Sequence, residues 1–266
     1  MLKRKKTLLN RNRGRDCMVN AQNIVKHLTK EVEVFAYDVI PSTNDEARWH
    51  LAKHTCDRAV FVARGQTAGK GRLGRSFYSP VDTGIYMTYV FRVRNVCNDI
   101  VRVTTAASVA VAKALNCGAK IKWVNDLYLG GKKICGILTE IVKNAEYNYI
   151  MIGIGINLTT TDFPDDIQHK AGAIGVALDK DRIIAAICDN LSQVADTPFA
   201  SDYLGYYRKH MLGIGEMIAY VENGQEHMAM IEGISDLGEL LVIEENTHKR
   251  LCSGEITIIS VEAVSR

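Results

Sequence analysis

Four glycines and three cations fall within one short stretch, Gly65-Gln66-Thr67-Ala68-Gly69-Lys70-Gly71-Arg72-Leu73-Gly74-Arg75. Glycine at that density lets a backbone wrap closely around a ligand. The charges of Lys70, Arg72 and Arg75 make an anion its natural partner. Two familiar phosphate motifs do not fit. Gly69-x-Gly71-x-x-Gly74 matches the dinucleotide fingerprint by letter, but Phe77-Tyr78-Ser79-Pro80 follows where the phosphate-binding helix should begin. The run from Gly65 to Lys70 is one residue short of a P-loop, and a glycine follows the lysine in place of Ser or Thr. A plain surface loop is the bland alternative; functional loops of this length can order only when a ligand arrives.

A second group surrounds a tight turn: Lys122-Trp123-Val124-Asn125-Asp126 before Gly130-Gly131, and Lys132-Lys133-Ile134-Cys135-Gly136 after it. Asp126 and Lys133 put a carboxylate and an amine on one hairpin, and Gly136 allows a ligand near the backbone. Alone, the two would be an ordinary cross-strand pair worth roughly 0.2–1 kcal/mol. His50 and His54 are one helical turn apart, but no third ligand stands near them, so an exposed helix face is expected. His27, His169, His210, His227 and His248 have no visible partners, and Cys135 reads as small apolar filler.

The elements that must carry these groups follow from pattern. A short helix is possible over 20–30, and residues 32–40 alternate as a strand. Ser42-Thr43-Asn44-Asp45-Glu46 reads as a capped helix start, running to about His54. Strands are expected at 59–63, 84–91, 120–123, 126–129, 134–141 and 149–157, and helices at 100–115, 181–194 and 201–210. The glycine-rich loop is expected over 65–75. From Ile214 onward, short alternating strands are separated by Asn223-Gly224, Asp236-Leu237-Gly238 and Glu245-Asn246. The expected division is a basic extension over 1–31, a body over 32–212 and a small β-barrel over 213–266. Strands and helices segregate in the body, which points to α+β.

Composition bounds the rest. The chain has 266 residues, 47% hydrophobic and 24% charged, enough for a core without disulfides. Its seven cysteines are scattered, with no Cys-x-x-Cys pair, which suits a reducing cytoplasm and excludes a zinc knuckle. No apolar run reaches membrane-spanning length, and no secretory signal is written, so no membrane partner is expected. The net charge of +3 is uneven: seven cations lie in residues 1–15, leaving the remainder net acidic. A frayed, solvated terminus is the plain reading of that tail. An acidic body argues against a nucleic-acid surface there.

Five segments in order resemble the motif set of biotin protein ligases: Ser42-Thr43-Asn44, Gly69-Lys70-Gly71-Arg72-x-Gly74-Arg75, Lys122-Trp123-x-Asn125-Asp126, Lys132-Lys133-x-x-Gly136-Ile137-Leu138 and Gly153-x-Gly155-Ile156-Asn157. The likeness covers about residues 34–266, and five motifs in sequence are specific where one would not be. Lys70 stands where the family often has arginine, and Val124 where it often has proline; a lysine keeps the charge but not a bidentate fork. The resemblance implies a mixed sheet with helices of the class II synthetase kind, followed by an SH3-like β-barrel. It implies that Ser42, Thr43, Asn44 and Gln66 face the biotin ring. Gly69, Lys70, Gly71, Arg72 and Arg75 would close over biotin and its adenylate. Lys133 would meet the biotin carboxylate and the α-phosphate, Asp126 would serve a metal or the reacting groups, and Asn157 would lie near the nucleotide. Trp123, Asn125 and Gly136 belong to the same binding set.

The implied reaction joins two anions, the biotin carboxylate and the α-phosphate of ATP. A cation about 4 Å away contributes roughly 4 kcal/mol at an effective dielectric near 20. Lys133 and Arg72 are suited to that task, with Mg2+ on the phosphates. The implied partner is the biotin carrier domain of a carboxylase, with the chain a monomer or homodimer. Only about 31 residues precede the first strand, too few for a winged helix-turn-helix, so no operator DNA is expected. Two rivals stand beside this reading. A lipoate ligase shares the fold, and a biotin-binding regulator would keep the pocket without catalysis; Lys133 and Arg72 together argue against the second.

Overall fold

The computed structural model describes residues 19–94, 100–198, 200–252 and 254–259. The basic cluster of residues 1–15, Cys17 and Cys97 lie outside the described residues. Helix α1 (Ala21–His27) is followed by β1 (Glu33–Ile40), α2 (Thr43–Leu51), β2 (Arg58–Gln66) and β3 (Gly84–Val93). Next come α3 (Ile100–Leu115), β4 (Lys120–Lys122), β5 (Asp126–Leu129), β6 (Lys132–Lys143), β7 (Asn148–Asn157), α4 (Lys180–Asp196) and α5 (Leu204–His210). Strands β8 (Met217–Glu222), β9 (Gln225–Ile234), β10 (Leu240–Glu244), β11 (Thr247–Leu251) and β12 (Ile256–Ile258) complete the chain.

Seven strands form one sheet in the order β1-β2-β3-β7-β6-β5-β4. Only β1 and β2 run parallel; the remaining pairs are antiparallel, so the sheet is mixed as the resemblance implies. The two-residue period of a strand sorts side chains between two cores. Ala59, Phe61, Val90, Tyr149 and Met151 pack with Ala47 and Leu51 of α2 on one face. Val60, Val62, Tyr89, Phe91, Ile150 and Ile152 belong to the larger core with α1, α3 and α4 on the other. Strands β3 and β7 are central and covered on both faces, which is why they read as almost unbroken apolar runs.

The five later strands form a second, antiparallel sheet in the order β11-β10-β9-β8-β12. Its turns at Asn223-Gly224 and Glu245-Asn246 have positive φ, as hairpins of two residues require. The indole N–H of buried Trp123 donates to Gly238 O at 3.0 Å, tying this sheet to the body. Among the described residues no helix is long and apolar enough to cross a membrane.

Three local expectations change. Strand β2 continues through Gly65 and Gln66, because Val39 and Ile40 of β1 still pair with them. Ser42 occupies the N-cap position of α2 but makes no capping bond with its side chain; separately, Gln66 Oε1 accepts the Thr43 N–H at 2.8 Å. His50 is no exposed helix face: its ring lies 4.7 Å from Phe35 and 5.3 Å from Phe61, and burial lowers its pKa.

Candidate active site

A cavity of about 120 Å³ opens where the glycine-rich loop crosses the sheet. Thr43, Asn44, Gln66, Lys70, Gly71, Arg72, Arg75, Trp123, Asn125, Asp126, Lys133 and Gly136 all line it. These come from α2, β2, the loop, the approach to β5, and the β5–β6 hairpin. Ser42, Gly69 and Asn157 do not line it. Ser42 is buried at the head of α2, and Gly69 lies under the loop, where a Cβ would sit 2.5 Å from Phe77 O. Asn157 closes β7 and donates to Gly172 O at 2.9 Å, while its buried Oδ1 has no partner among the described residues.

The hairpin owes its chemistry to an irregularity. Asp126 pairs with Gly136 and Leu127 with Cys135, but Tyr128 then pairs with Lys133. Ile134 is the extra residue of a β-bulge, and one extra residue inverts which face the following side chains take. Without it Lys133 would point away from Asp126. With it, Lys133 Nζ reaches to 2.7 Å from Asp126 Oδ1. Gly136 leaves the lysine its path, since a Cβ there would lie 3.3 Å from Lys133 Cε. Beyond this ion pair, the buried Asp126 Oδ1 takes no hydrogen bond among the described residues.

The loop is held at three points. Lys70 pairs with Asp45 in the first turn of α2. Arg72 donates to Asn125 Oδ1 at 3.0 Å and to Gly254 O at 3.0 Å. Arg75 pairs with Glu255. Between them Leu73 adopts a left-handed conformation, φ 54°, inside a single 3-10 turn. No helix follows, so the dinucleotide fingerprint fails in the structure as it does in the sequence.

Several cavity residues carry no role in the sequence reading. Lys122 lines the cavity, and burial pushes its pKa down against the pull of Asp126 and Glu255. Burial raises the Glu255 carboxyl, but the bond and charge of Arg75 more than offset this and leave it below the usual range. Phe77 fills the space over Gly155, where a Cβ would come within 2.4 Å of its ring. Lys122 and Gly155 sit inside motifs already recognised; Glu255 stands alone in sequence, and only the fold returns it to the loop.

Residues 36–157 match the sequence model described as the biotin/lipoate A/B protein ligase family. The bifunctional ligase/repressor BirA of Bacillus spizizenii is 30% identical over 237 residues, covering 83% of this chain and 72% of that protein. A biotin–[acetyl-CoA-carboxylase] ligase of Mycobacterium tuberculosis is 28% identical, covering 69% of this chain and 73% of its own length. In fold, the chain resembles the biotin protein ligase of Aquifex aeolicus solved with biotin and ATP. The TM-score is 0.71 at 24% identity, over 85% of this chain and 98% of that one.

Proposed function

The chain belongs to the biotin/lipoate A/B protein ligase family, and we propose that Arg72 and Lys133 are the cations that let it join biotin to a carrier-protein lysine using ATP. It is an ATP-dependent biotin protein ligase. The observation that carries the residue assignment is that Arg72 and Lys133, 61 positions apart in sequence, line the same small cavity.

In the first step an oxygen of the biotin carboxylate attacks the α-phosphorus of ATP and pyrophosphate leaves. Negative charge accumulates on the transferring phosphorus's oxygens, and cations fixed in advance stabilise it with little reorganisation. Lys133 is fixed by the bulge and by Asp126, Arg72 by Asn125 and Gly254 O. The product is a mixed anhydride that water hydrolyses, so the loop from Lys70 to Arg75 has a second duty in excluding water. In the second step the neutral amine of the carrier lysine attacks the acyl carbon, and AMP departs with the bonding electrons. The acceptor is the biotin carrier domain of a carboxylase.

Among the described residues no cluster of three metal-ligating side chains exists. A magnesium ion held chiefly by phosphates needs only one or two carboxylates. Asp126, half-buried and paired with Lys133, and Glu255, paired with Arg75, are the cavity carboxylates that would meet that need. Magnesium bound there would neutralise phosphate charge. Gln66, Thr43 and Asn44 supply hydroxyl and amide groups for the biotin ring.

The test mixes the protein with biotin, MgATP and a carrier domain. Biotin-dependent pyrophosphate release with a biotinylated carrier is expected; lipoate in place of biotin should give neither. Turnover with lipoate and not biotin would overturn the reading.

A further inference from the structure

Asn44 presents the cavity with an amide whose two ends have nearly the same shape but opposite hydrogen-bonding character. Steric fit cannot choose between them; only partners can. The amide has little freedom to swing, because it lies directly on β7, where a Cβ at Gly153 would sit 2.4 Å from Asn44 Oδ1. Its orientation is fixed from both ends. Nδ2 donates to Glu140 Oε2 at 3.3 Å, and Oδ1 accepts from Thr88 Oγ1 at 2.6 Å. An ionised carboxylate can only accept, so Glu140 admits the amino end and refuses the carbonyl end. Arg48, one turn further along α2 from Asn44, pairs with the other Glu140 oxygen and holds it in place.

The same logic runs onward. Thr88 has one hydroxyl proton, with Asn44 Oδ1 at 2.6 Å nearer than Thr43 Oγ1 at 2.8 Å. Thr43 gives its own proton to Gln66 Oε1 at 3.1 Å, and Gln66 Nε2 donates to Ser79 Oγ at 2.9 Å. Ser79 in turn donates to Phe77 O at 2.9 Å. The hydroxyl protons of Thr43, Ser79 and Thr88 and one N–H of each amide are therefore assigned. What remains for a ligand is one N–H on each of two cavity-lining amides, Asn44 and Gln66, together with hydroxyl lone pairs. Two donors beside acceptor oxygens complement a cyclic urea, which has one carbonyl acceptor and two N–H donors.

We infer that Glu140, held by Arg48, is a positioning residue that selects the ureido ring of biotin by fixing which end of the Asn44 amide faces it. This rests on the biotin-ligase reading above. Glu140 touches no substrate; it acts through Asn44.

The test is Glu140→Gln in the full chain, with KM for biotin and for ATP measured separately by pyrophosphate release. A glutamine can donate as well as accept, so the amide of Asn44 loses its enforced orientation. The expected result is a biotin KM raised about tenfold, the scale of one misdirected hydrogen bond. The ATP KM and kcat should stay within about twofold and the melting temperature should hold. Discrimination between biotin and 2-iminobiotin, whose ring carries N–H in place of the carbonyl oxygen, should narrow. An unchanged biotin KM with unchanged discrimination overturns the inference, as does a parallel rise in both KM values. Should Glu140→Gln not fold, Arg48→Gln is the second variant: about a threefold rise in biotin KM, restored by Arg48→Lys, is expected, and no rise overturns the idea. Wild-type protein that fails to turn over biotin at all would instead refute the ligase reading itself.

Discussion

Lys133 Nζ lies 2.7 Å from Asp126 Oδ1 although the two residues are not opposite one another in the hairpin. The single extra residue, Ile134, turns Lys133 onto the face where Asp126 and the cavity lie. An amine that reaches its station through a backbone irregularity is held there by the strand itself, not by a mobile stem alone.

Replacing Asp126 tests the carboxylate at that station. Asp126→Asn keeps the size but removes the charge paired with Lys133, which is also the charge proposed to draw magnesium. Turnover should fall, and the magnesium concentration giving half-maximal pyrophosphate release should rise several-fold. A magnesium dependence identical to that of the wild type would remove Asp126 from metal binding.

Arg72 joins the loop to Asn125 and to the carbonyl of Gly254. Arg72→Gly should release the loop, so that the activated biotin diffuses away before transfer. The measurement is mass-spectrometric mapping of biotinylated lysines in a mixture of carrier and bystander proteins. Labelling spread over bystanders is expected; labelling confined to the carrier would show that the loop does not retain the intermediate.

Gly155 gives its space to Phe77, whose ring atoms lie 2.4 to 2.6 Å from where a Cβ would be. Gly155→Ala should therefore displace the ring and destabilise the fold by about 1–3 kcal/mol, as overpacking commonly does. Thermal unfolding of Gly155→Ala and of Gly155→Ala with Phe77→Leu checks this. The smaller residue should recover part of the loss; no recovery would mean the clash is relieved elsewhere.

In the small sheet, Glu244 accepts from Lys249, Tyr220 and His227, and its pKa falls from 4.5 to about 2. A carboxyl depressed in the folded state stabilises fully above its unfolded value and loses that contribution as pH drops through its folded value. The window is therefore pH 4.5 down to about 2. Melting temperature should decline more steeply across it in wild type than in Glu244→Gln, and equal slopes would contradict the depressed pKa.

Much of this arrangement is legible in the residues. Central strands β3 and β7 announce themselves because they are apolar on both faces, and Gly130-Gly131 marks its hairpin by demanding positive φ, which both residues have. The loop cations are recognisable because glycine and charge coincide. Long-range partners are not. Glu255 meets Arg75 only after the second sheet docks, and nothing local in either segment anticipates it. The Ile134 bulge is equally silent, since Lys133 and Asp126 look like an ordinary cross-strand pair in sequence. The cap of α2 misleads as well: Ser42 stands at the N-cap without a capping bond, while the first N–H of the helix goes to Gln66, a residue 23 positions away.

The central claim is that Lys133 supplies positive charge where biotin's carboxylate and the α-phosphate of ATP meet. Biotin-dependent exchange of labelled pyrophosphate into ATP isolates that step from transfer to the carrier. Wild type should exchange only when biotin is present, and Lys133→Ala should lose on the order of 10²–10³-fold in rate while still folding. Exchange at a near-normal rate in Lys133→Ala, or exchange in wild type without biotin, would contradict the account.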